Sequence, residues 1–240
     1  PDFVTPQLAT LVNEAPVGDR WLHEIKFDGY RAQAHIENGK VRMLTRTGLD
    51  WTKKFKPIAD ALAELPVKTA LLDGEIVVSD KGGATSFADL QQAISEGQPD
   101  RLSYYVFDLM HLNSKDLRKL PLSERKDLVR RILPEDEHEL IHYSDHFTDR
   151  GPEFFQNACR LSLEGIVSKR ADAPYTSGRG RNWLKIKCTQ RQEFVVGGWL
   201  ASNKAGRDLR SLLVGYYDQN NFRYAGKIGT GFNAGNAACW

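Results

Sequence analysis

The sequence contains only three cysteines among its 240 residues, and they are widely spaced. Cys159, Cys188 and Cys239 form no CxxC pair and have no histidine partner at metal-ligand spacing. This pattern excludes a metal site built on paired cysteines. An odd, scattered set of cysteines is typical of reduced thiols in a cytosolic protein. The sequence therefore predicts that all three thiols are reduced.

Long apolar runs and glycine-rich nucleotide motifs are also absent. No apolar run approaches the length needed to cross a bilayer, and no basic-then-apolar leader opens the chain. The chain begins at Pro1 without a methionine, so we expect it to be excised from a longer protein. There is no GxGxxG motif and no P-loop, which argues against a Rossmann fold and the P-loop NTPases. No internal repeat or low-complexity segment is present.

The composition is that of a globular protein. Hydrophobic residues make up 41% and charged residues 27%, enough for one large domain alone or with a small second one. The net charge of +2 does not by itself indicate nucleic-acid binding. Between residues 169 and 191, however, seven basic residues are opposed by Asp172 alone: Lys169, Arg170, Arg179, Arg181, Lys185, Lys187 and Arg191. This cluster is either a solvated loop or a phosphate-binding face.

The pattern of apolar residues predicts an α+β domain followed by a β module. Helices are predicted over 52–65, 85–97, 121–133 and 151–165, with Thr85, Ser86 and Ser123 as caps and Gly165 as the last stop. Strands lie between them, and Asn38-Gly39 has the composition of a type I′ hairpin turn. From about residue 190, short strands rich in Val, Tyr and Gly follow without a helix, which predicts a small all-β barrel.

The stretch EIKFDGYRAQ, residues 24–33, places Lys26 in a predicted strand just before Asp28-Gly29. On the residues alone, Lys26 is either a solvated strand residue before a hairpin turn or a nucleophile held over a nucleotide. The spacing Lys-x-Asp-Gly does not decide between them, because it occurs by chance in roughly one chain in twenty of this length.

Further segments follow EIKFDGYR in a definite order: LTRTG (44–48), LDGEIV (72–77), YVFDLM (105–110), LEGIVSKR (163–170) and WLKIK (183–187). This series resembles the covalent nucleotidyltransferase superfamily of ATP-dependent DNA ligases and capping enzymes. It is most similar to the ligase domain of the bacterial end-joining ligases that work with the Ku end-binding protein. The resemblance runs from about residue 6 to about residue 232.

The resemblance implies a fold and a domain division. Residues 1–189 would form a nucleotidyltransferase (adenylation) domain of mixed and antiparallel sheets with helices. Residues 190–240 would form part of an OB-fold module, since ~50 residues are short for a complete five-stranded barrel. We expect this module to be incomplete in the present chain.

The resemblance also assigns site residues. Lys26 would be the nucleophile, and the ATP-binding residues would be Glu24, Asp28, Gly29, Arg31, Arg46, Glu75, Phe107, Lys185 and Lys187. Phe107 would stack on adenine, while Glu75 would bind the ribose hydroxyl and approach the metal. Glu164 and Glu75 would hold Mg²⁺ or Mn²⁺. The DNA-binding residues would be Lys169, Arg170, Arg179, Arg181 and Arg191.

These assignments make chemical sense, although the residues alone leave alternatives open. A lysine nucleophile must be neutral, and nearby cations such as Lys185 and Lys187 lower the pKa of a lysine. These two alternate along a predicted strand and face one side, but two solvated lysines would show the same pattern. Glu164, predicted at a helix C-terminus, would oppose the helix dipole unless it binds a cation. Glu75 could equally form an internal salt bridge.

The implied activity is that of an ATP-dependent DNA ligase in double-strand break repair by end joining. Lys26 would form a covalent lysyl-AMP, the AMP would pass to a DNA 5′ phosphate, and the 3′ hydroxyl would seal the break. Nicked or broken DNA and the Ku protein are the expected partners of a monomer at the bacterial nucleoid in the cytoplasm. The alternatives are an RNA ligase, a GTP-dependent capping enzyme, or a non-catalytic DNA-end-binding module.

Overall fold

A computed structural model describes residues 2–79, 85–134, 139–188, 194–202 and 209–229. The chain divides into two compact units, Pro1–Cys188 and Thr189–Trp240. Over the described ranges, no helix has the length and apolar character that a membrane span requires.

The elements follow one another along the chain, four of them α-helices within the described residues. Their bounds are β1 Gln7–Leu11, β2 Gly18–Ile25, β3 Tyr30–Glu37, β4 Lys40–Thr45, α1 Lys56–Ala63, β5 Thr69–Val77, α2 Phe87–Ser95, β6 Ser103–Leu112, β7 Lys115–Asp116, α3 Leu122–Ile132, β8 Ile141–Tyr143, β9 Phe147–Asp149, α4 Gly151–Arg160, β10 Gly165–Arg170, β11 Gly178–Lys187, β12 Val195–Ala201, β13 Leu209–Asp218 and β14 Asn221–Ile228.

The first unit contains two sheets. The first sheet has the strand order β1-β11-β10-β2-β9, in which only β1 and β11 run parallel. The second sheet has the order β4-β3-β5-β6-β7, with β8 parallel to β6 at its side. Both sheets are thus mixed or antiparallel, which confirms the α+β class predicted from the sequence.

The main core lies against the second sheet. Helix α1 buries Ile58, Ala59 and Leu62 at the helical spacing that the sequence predicts. They join Ala34 and Ile36 of β3 in one cluster of buried residues. Because this core covers one face of the second sheet, the polar side chains of its other face turn towards the first sheet.

The Asp28-Gly29 step is not a hairpin, in contrast to the simple interpretation of its sequence. Strand β2 pairs with β9 and β10 in the first sheet, whereas β3 pairs with β4 and β5 in the second. The chain therefore crosses between sheets at this point. A Cβ atom on Gly29 would lie 2.1 Å from the carbonyl oxygen of Ile76, so only glycine fits there.

Asn38-Gly39 does form the predicted hairpin turn. Both residues have positive φ, at 48° and 75°, and the flanking Glu37 and Lys40 are paired. Positive φ at both central positions is what a type I′ turn requires. This turn joins β3 to β4 and sets their register.

Three of the four predicted helix signals are wrong and one is confirmed. Thr85 precedes the N-cap of α2 and is not itself the cap. Ser86 caps α2, since its side chain accepts a hydrogen bond from the Asp89 amide at 3.3 Å. Ser123 is not a cap, because α3 already begins at Leu122. Gly165 does not stop α4, which ends at Arg160; it opens β10 instead, where a Cβ atom would lie 2.0 Å from the Ile186 carbonyl oxygen.

The second unit shows the predicted all-β character over its described residues. Strands β12, β13 and β14 form an antiparallel sheet in that order. Leu209, Leu212 and Val214 form a small cluster of buried residues. The OB fold and the domain division at residue 189/190 stay predictions.

Cys159 and Cys188 form a disulfide, so the prediction of reduced thiols is wrong for these two residues. Cys159 lies in the last turn of α4, and Cys188 follows β11 directly. Helix α4 contacts β10, the neighbour of β11, and this packing brings the two Cα atoms to 5.3 Å across 29 residues of sequence. Cys239 lies outside the described residues.

Removing this crosslink by Cys188→Ser should lower the free energy of unfolding by roughly 3–4 kcal/mol, because a loop of this length restricts the unfolded chain. Urea unfolding with and without a thiol reductant measures the change. The Cys239→Ser variant, which leaves the crosslink intact, is the matched control. A wild-type protein that is equally stable with and without reductant would contradict the crosslink.

Candidate active site

A cavity of ≈ 130 Å³ lies between the two sheets of the first unit. The first sheet and the residues just after β2 contribute one wall, and residues of β3, β5 and β6 contribute the other. The charged and aromatic lining residues that matter below are Glu24, Lys26, Arg31, Glu75, Phe107, Lys169, Trp183 and Lys185. The topology thus brings together residues that are up to about 160 positions apart in the sequence.

Lys26 lies at the mouth of this cavity and pairs with Glu164. Its backbone amide donates to the Gly165 carbonyl at 2.9 Å, which holds the residue against the first residue of β10. Its Nζ atom donates to Glu164 Oε2, while Lys187 Nζ lies 3.0 Å from Glu164 Oε1. The side chains of Lys26 and Glu164 are 20% and 23% exposed, so solvent and ligands can reach them.

The charged groups around Glu164 shift the pKa values of their neighbours. Burial would raise the pKa of Glu164, but the hydrogen bonds from Lys26 and Lys187 outweigh it and the pKa is lowered. Burial lowers the pKa of Lys185, and repulsion from Lys26 and Lys187 adds to this effect. Glu164 is therefore ionised near neutral pH and surrounded by cations.

Glu75 reaches the same cavity from β5 and behaves differently. Burial raises its pKa to about 8, and the positive charges of Arg31 and Lys26 offset this only in part. The negative charges of Asp73 and Glu164 push the pKa further up. Glu75, whose pKa is raised, thus lines the cavity, and Glu164, whose pKa is lowered, pairs with the cavity-lining Lys26. Carboxylates with separated pKa values are found together at functional sites.

Arg31 lines the cavity, but its guanidinium is already engaged. Its Nε and Nη2 atoms donate to the two carboxylate oxygens of Asp73 at 3.0 and 2.6 Å, and Nη1 donates to the Gln7 carbonyl at 2.6 Å. The Tyr175 hydroxyl donates to Asp73 at 2.7 Å. The predicted contact of Arg31 with ATP would have to use the remaining N–H groups of its guanidinium.

Glu24 and Lys169 form a buried ion pair in the cavity wall. Lys169 Nζ donates to Glu24 Oε2 at 2.8 Å, and Lys169 is only 2% exposed. Its ammonium lies 4.1 Å from the centre of the Phe107 ring and 4.5 Å from that of Trp183. The structure therefore moves Lys169 from the predicted DNA-binding surface to the cavity, beside the aromatic residue that was predicted to stack on adenine.

The sequence that forms this cavity matches the model of a known protein family. The family model for the ATP dependent DNA ligase domain matches residues 6–187. The chain belongs to the ATP-dependent DNA ligase family. Its cavity is therefore the nucleotide-site candidate of a ligase domain.

The curated relatives are larger proteins. The multifunctional non-homologous end joining protein LigD of Pseudomonas aeruginosa is 39% identical over 237 residues, which is 98% of this chain and 28% of that protein. The ligase chain thus spans just over a quarter of the length of this relative.

Solved ligase structures share the fold. Mycobacterial DNA ligase D complexed with ATP and MES is 32% identical, with a TM-score of 0.70 over 98% of this chain and 75% of that one. The Chlorella virus DNA ligase-adenylate is 23% identical, with a TM-score of 0.58 over 98% of this chain and 88% of that one, and supports the fold alone. The nucleotidyltransferase fold predicted from the sequence motifs is confirmed.

Other predicted site residues of the ligase lie around the cavity in distinct roles. Asp28 accepts a hydrogen bond from the Phe87 amide at 3.2 Å, and its own amide donates to Thr85 Oγ1 at 3.0 Å, so it ties the sheet crossing to α2. Gly29 permits the close approach described above. Arg46 is exposed and lines a second cavity of ≈ 400 Å³, which shares Arg31 and Glu75 with the first.

Glu164 is not at a helix end, in contrast to the prediction. Helix α4 ends four residues earlier, and Ser162 has a positive φ of 59° in the intervening turn. The Glu164 carbonyl accepts the Cys188 amide at 3.0 Å, so its backbone is fixed to the end of β11. The carboxylate is therefore held by strand pairing beside Lys26, and the helix-dipole argument does not apply.

The predicted basic cluster does not form one uniform surface. Arg170 pairs with Asp172 through two hydrogen bonds of 2.9 and 2.8 Å. Arg179 donates to the Ala9 carbonyl at 2.6 Å and Arg181 is exposed. Arg191 lies outside the described residues.

The sequence interpretation missed Trp183 and Lys126. Trp183 lies in β11 two residues before Lys185, so the alternation that placed Lys185 and Lys187 on one face also places Trp183 there. Lys126, on α3, donates to Glu24 Oε1 at 2.8 Å. It carried no sequence signal, because a lysine in an amphipathic helix is normally exposed.

The donor set of the ligase cavity fits a hard divalent cation. Over the residues that the structure describes, no three His, Cys, Asp or Glu side chains group to hold a metal ion. Mg²⁺ needs no such group, since it keeps waters and binds through one or two carboxylates and substrate phosphates. Glu75 and Glu164 are close enough for the charge of one to raise the pKa of the other, and a divalent cation would relieve that repulsion.

The raised pKa of Glu75 predicts a pH-dependent stability. Because folding raises this pKa to about 8, the folded ligase holds a proton that the unfolded chain releases near pH 4.5, and stability falls as pH rises between these values. In metal-free buffer, the melting temperature of wild type should therefore fall relative to that of Glu75→Gln as the pH rises from 5 to 8.

Glu37→Gln, at an exposed position of β3, is the matched control and should follow wild type at every pH. If the difference in melting temperature between wild type and Glu75→Gln is the same at every pH, Glu75 is not held protonated in the folded ligase.

Proposed function

We propose that this chain is the adenylating and sealing domain of an ATP-dependent DNA ligase, with Lys26 as the nucleophile. The observation that supports this most directly is the position of Lys26 Nζ at the cavity mouth, paired with Glu164 and flanked by Lys187 and Lys185. Lys26 attacks the α-phosphorus of ATP, pyrophosphate leaves, and a lysyl-AMP phosphoramidate remains. The AMP passes to a DNA 5′ phosphate, and the 3′ hydroxyl then displaces it.

The lysines of β11 stabilise the charge that develops on the α-phosphate. Lys185 and Lys187 lie on one face of the strand, while Ile186 between them is 1% exposed in the core. The strand thus fixes both ammonium groups before the nucleotide arrives, and fixed cations are the most effective electrostatic catalysts. Phe107 and Trp183, which meet edge to face at 5.8 Å between ring centres, offer an apolar surface for the base.

Glu164 and Glu75 are the residues that would hold Mg²⁺ or Mn²⁺. When bound, the cation supplies positive charge to the phosphate oxygens. The residues of this chain supply the rest: Glu164 orients Lys26 and accepts its hydrogen bond, and Glu75, reached from the second sheet, closes the other side of the cavity.

We further propose that the substrate is nicked or broken double-stranded DNA and that the protein acts in end joining with the Ku protein in the bacterial cytoplasm. The support is the LigD relative, which carries end joining in its name. RNA ligation and GTP-dependent capping are less favoured, because the relatives described above are DNA ligases. A purely binding module is also disfavoured, because Lys26 is paired with Glu164 at an open cavity.

Lys26→Arg is expected to abolish covalent labelling by α-labelled ATP while the fold persists. The guanidinium keeps the positive charge opposite Glu164, but it stays protonated and cannot attack phosphorus. Labelling is followed by gel and mass spectrometry, with GTP in parallel to test the capping alternative.

Lys56→Arg is the matched control, because Lys56 lies on α1 with its side chain 69% exposed and should label normally. Covalent AMP on a residue other than Lys26, or labelling by GTP in preference to ATP, would overturn the assignment.

Binding to nicked DNA should weaken steeply with salt if the exposed arginines contact phosphates. Each contact contributes about 0.9 to the slope of log K against log salt, so Arg181→Gln should make the slope shallower by about that amount. Fluorescence anisotropy over a salt series measures the slope, and Lys56→Gln is the control. An unchanged slope for Arg181→Gln would show that Arg181 does not contact a DNA phosphate.

A further inference from the structure

The buried carboxylate of Glu24 is shared by two lysines. Lys126 Nζ donates to Oε1 and Lys169 Nζ donates to Oε2, each at 2.8 Å. Ser144 Oγ donates to Oε2 at 2.8 Å as well. The three charged side chains are at most 3% exposed, so the group contains one more positive than negative charge away from solvent.

The neighbouring buried ions are paired one to one. Arg125 donates to both oxygens of Asp108 at 2.7 and 2.9 Å, and Arg31 is paired with Asp73 in the same bidentate way. Each of these pairs has no net charge. The unbalanced positive charge is therefore that of the two lysines that share Glu24. A buried charge without its own counter-ion is costly, which makes its position informative.

The two lysines have different surroundings. Lys169 lines the cavity with its ammonium over Phe107 and Trp183. Lys126 lies behind Glu24 on α3, where its ammonium also donates to the Ser144 carbonyl at 2.8 Å and lies 4.6 Å from the Tyr143 ring centre. A ligand in the cavity would meet Lys169, and Lys126 would act on it only through Glu24.

We propose that Lys126 is a positioning residue for nucleotide binding: by occupying Glu24 Oε1 from behind, it prevents Glu24 from neutralising Lys169 and keeps that ammonium in the cavity as excess positive charge. The inference rests on the proposed function, because it assumes that the cavity receives an anionic nucleotide. It assigns a role to a helix residue that touches no substrate.

The electrostatics agree with this geometry. Burial lowers the pKa of Lys169 to about 8, Glu24 and Asp108 oppose the shift, and repulsion by Lys126 reinforces it. Loss of Lys126 should therefore raise the pKa of Lys169 and leave a neutral Glu24–Lys169 pair. Arg31 faces the same rings at 5.2 Å but is held by Asp73.

The remaining titratable groups beside Lys126 are Tyr143 and His146. Burial raises the pKa of Tyr143, and burial together with the charge of Lys126 lowers the pKa of His146. Neither side chain lines the cavity. Tyr143 and His146 are therefore both uncharged near pH 8. Two cavity-lining groups titrate near that pH, Lys169 and Glu75, and of these two only Lys169 donates to Glu24. The movement of an inflection when Lys126 is replaced therefore reports on Lys169.

The test is the affinity for an ATP analogue that resists cleavage between the α and β phosphorus atoms, measured by calorimetry from pH 6.5 to 9.5. Wild-type affinity should fall through an inflection near pH 8, where Lys169 loses its proton and Glu75 becomes negatively charged. The same series in a Glu75→Gln background isolates the contribution of Lys169. In Lys126→Met the affinity at pH 7 should be roughly tenfold weaker, since one unit of charge is lost. The inflection should move to higher pH.

A second variant should shift the inflection in the opposite direction. It also keeps the proposal testable if Lys126→Met does not fold. Lys126→Met/Glu24→Gln removes the two paired charges together, which leaves Lys169 without a carboxylate, so its inflection should move below pH 8. Val129→Ala, a buried position one turn along α3, and Arg130→Met, an exposed ion pair with Asp145, are the controls. Val129→Ala should lower stability, and neither control should move the inflection.

An inflection that stays in place in both Lys126 variants would overturn the positioning role. If wild type binds the analogue and is labelled by ATP, that failure concerns Lys126 alone. If wild type neither binds nor is labelled, the proposed function fails and the inference with it.

Discussion

Charge buried in the first unit needs a neighbour of opposite sign, and this constraint organises the surroundings of the cavity. Arg31 and Asp73 join neighbouring strands of the second sheet, while Arg125 of α3 reaches Asp108 of β6. Each pair is desolvated, so removing one partner would leave an uncompensated charge that costs several kcal/mol. Because Arg31 is held by both carboxylate oxygens of Asp73, its guanidinium has a defined position in the cavity wall.

The crossing between the sheets is the second element on which the site depends. Strand β2 ends at Ile25 and β3 begins at Tyr30, so the four residues between them span the cleft. The close contact of Gly29 with the Ile76 carbonyl sets the end of this crossing against β5 of the second sheet. Lys26 is placed at the cavity mouth by this crossing and by its backbone hydrogen bond to Gly165. The proposed nucleophile lies on a short segment and has little freedom, which would favour a defined angle of attack.

The end of β11 is joined to the candidate site and to α4. Lys187 pairs with Glu164, and the next residue, Cys188, is linked to Cys159 of α4. Chain segments 159–165 and 185–188 are thus joined by an ion pair, backbone hydrogen bonds and a covalent bond. The second unit begins directly after this point. Glu164, the residue proposed for metal binding, is therefore held to the end of β11 through both its side chain and its backbone carbonyl.

The sequence by itself determined the motif order, the α+β class, the Asn38-Gly39 turn and the Ser86 cap, because each depends on a few neighbouring residues. It also indicated that Lys185 and Lys187 share a face, since alternation along a strand is local. The burial of Lys169, the role of Lys126 and the strand setting of Glu164 were decided only by the tertiary structure. So were the Asp28-Gly29 crossing and the disulfide. These features depend on which strands and helices become neighbours, and a residue's own sequence window does not contain its partner.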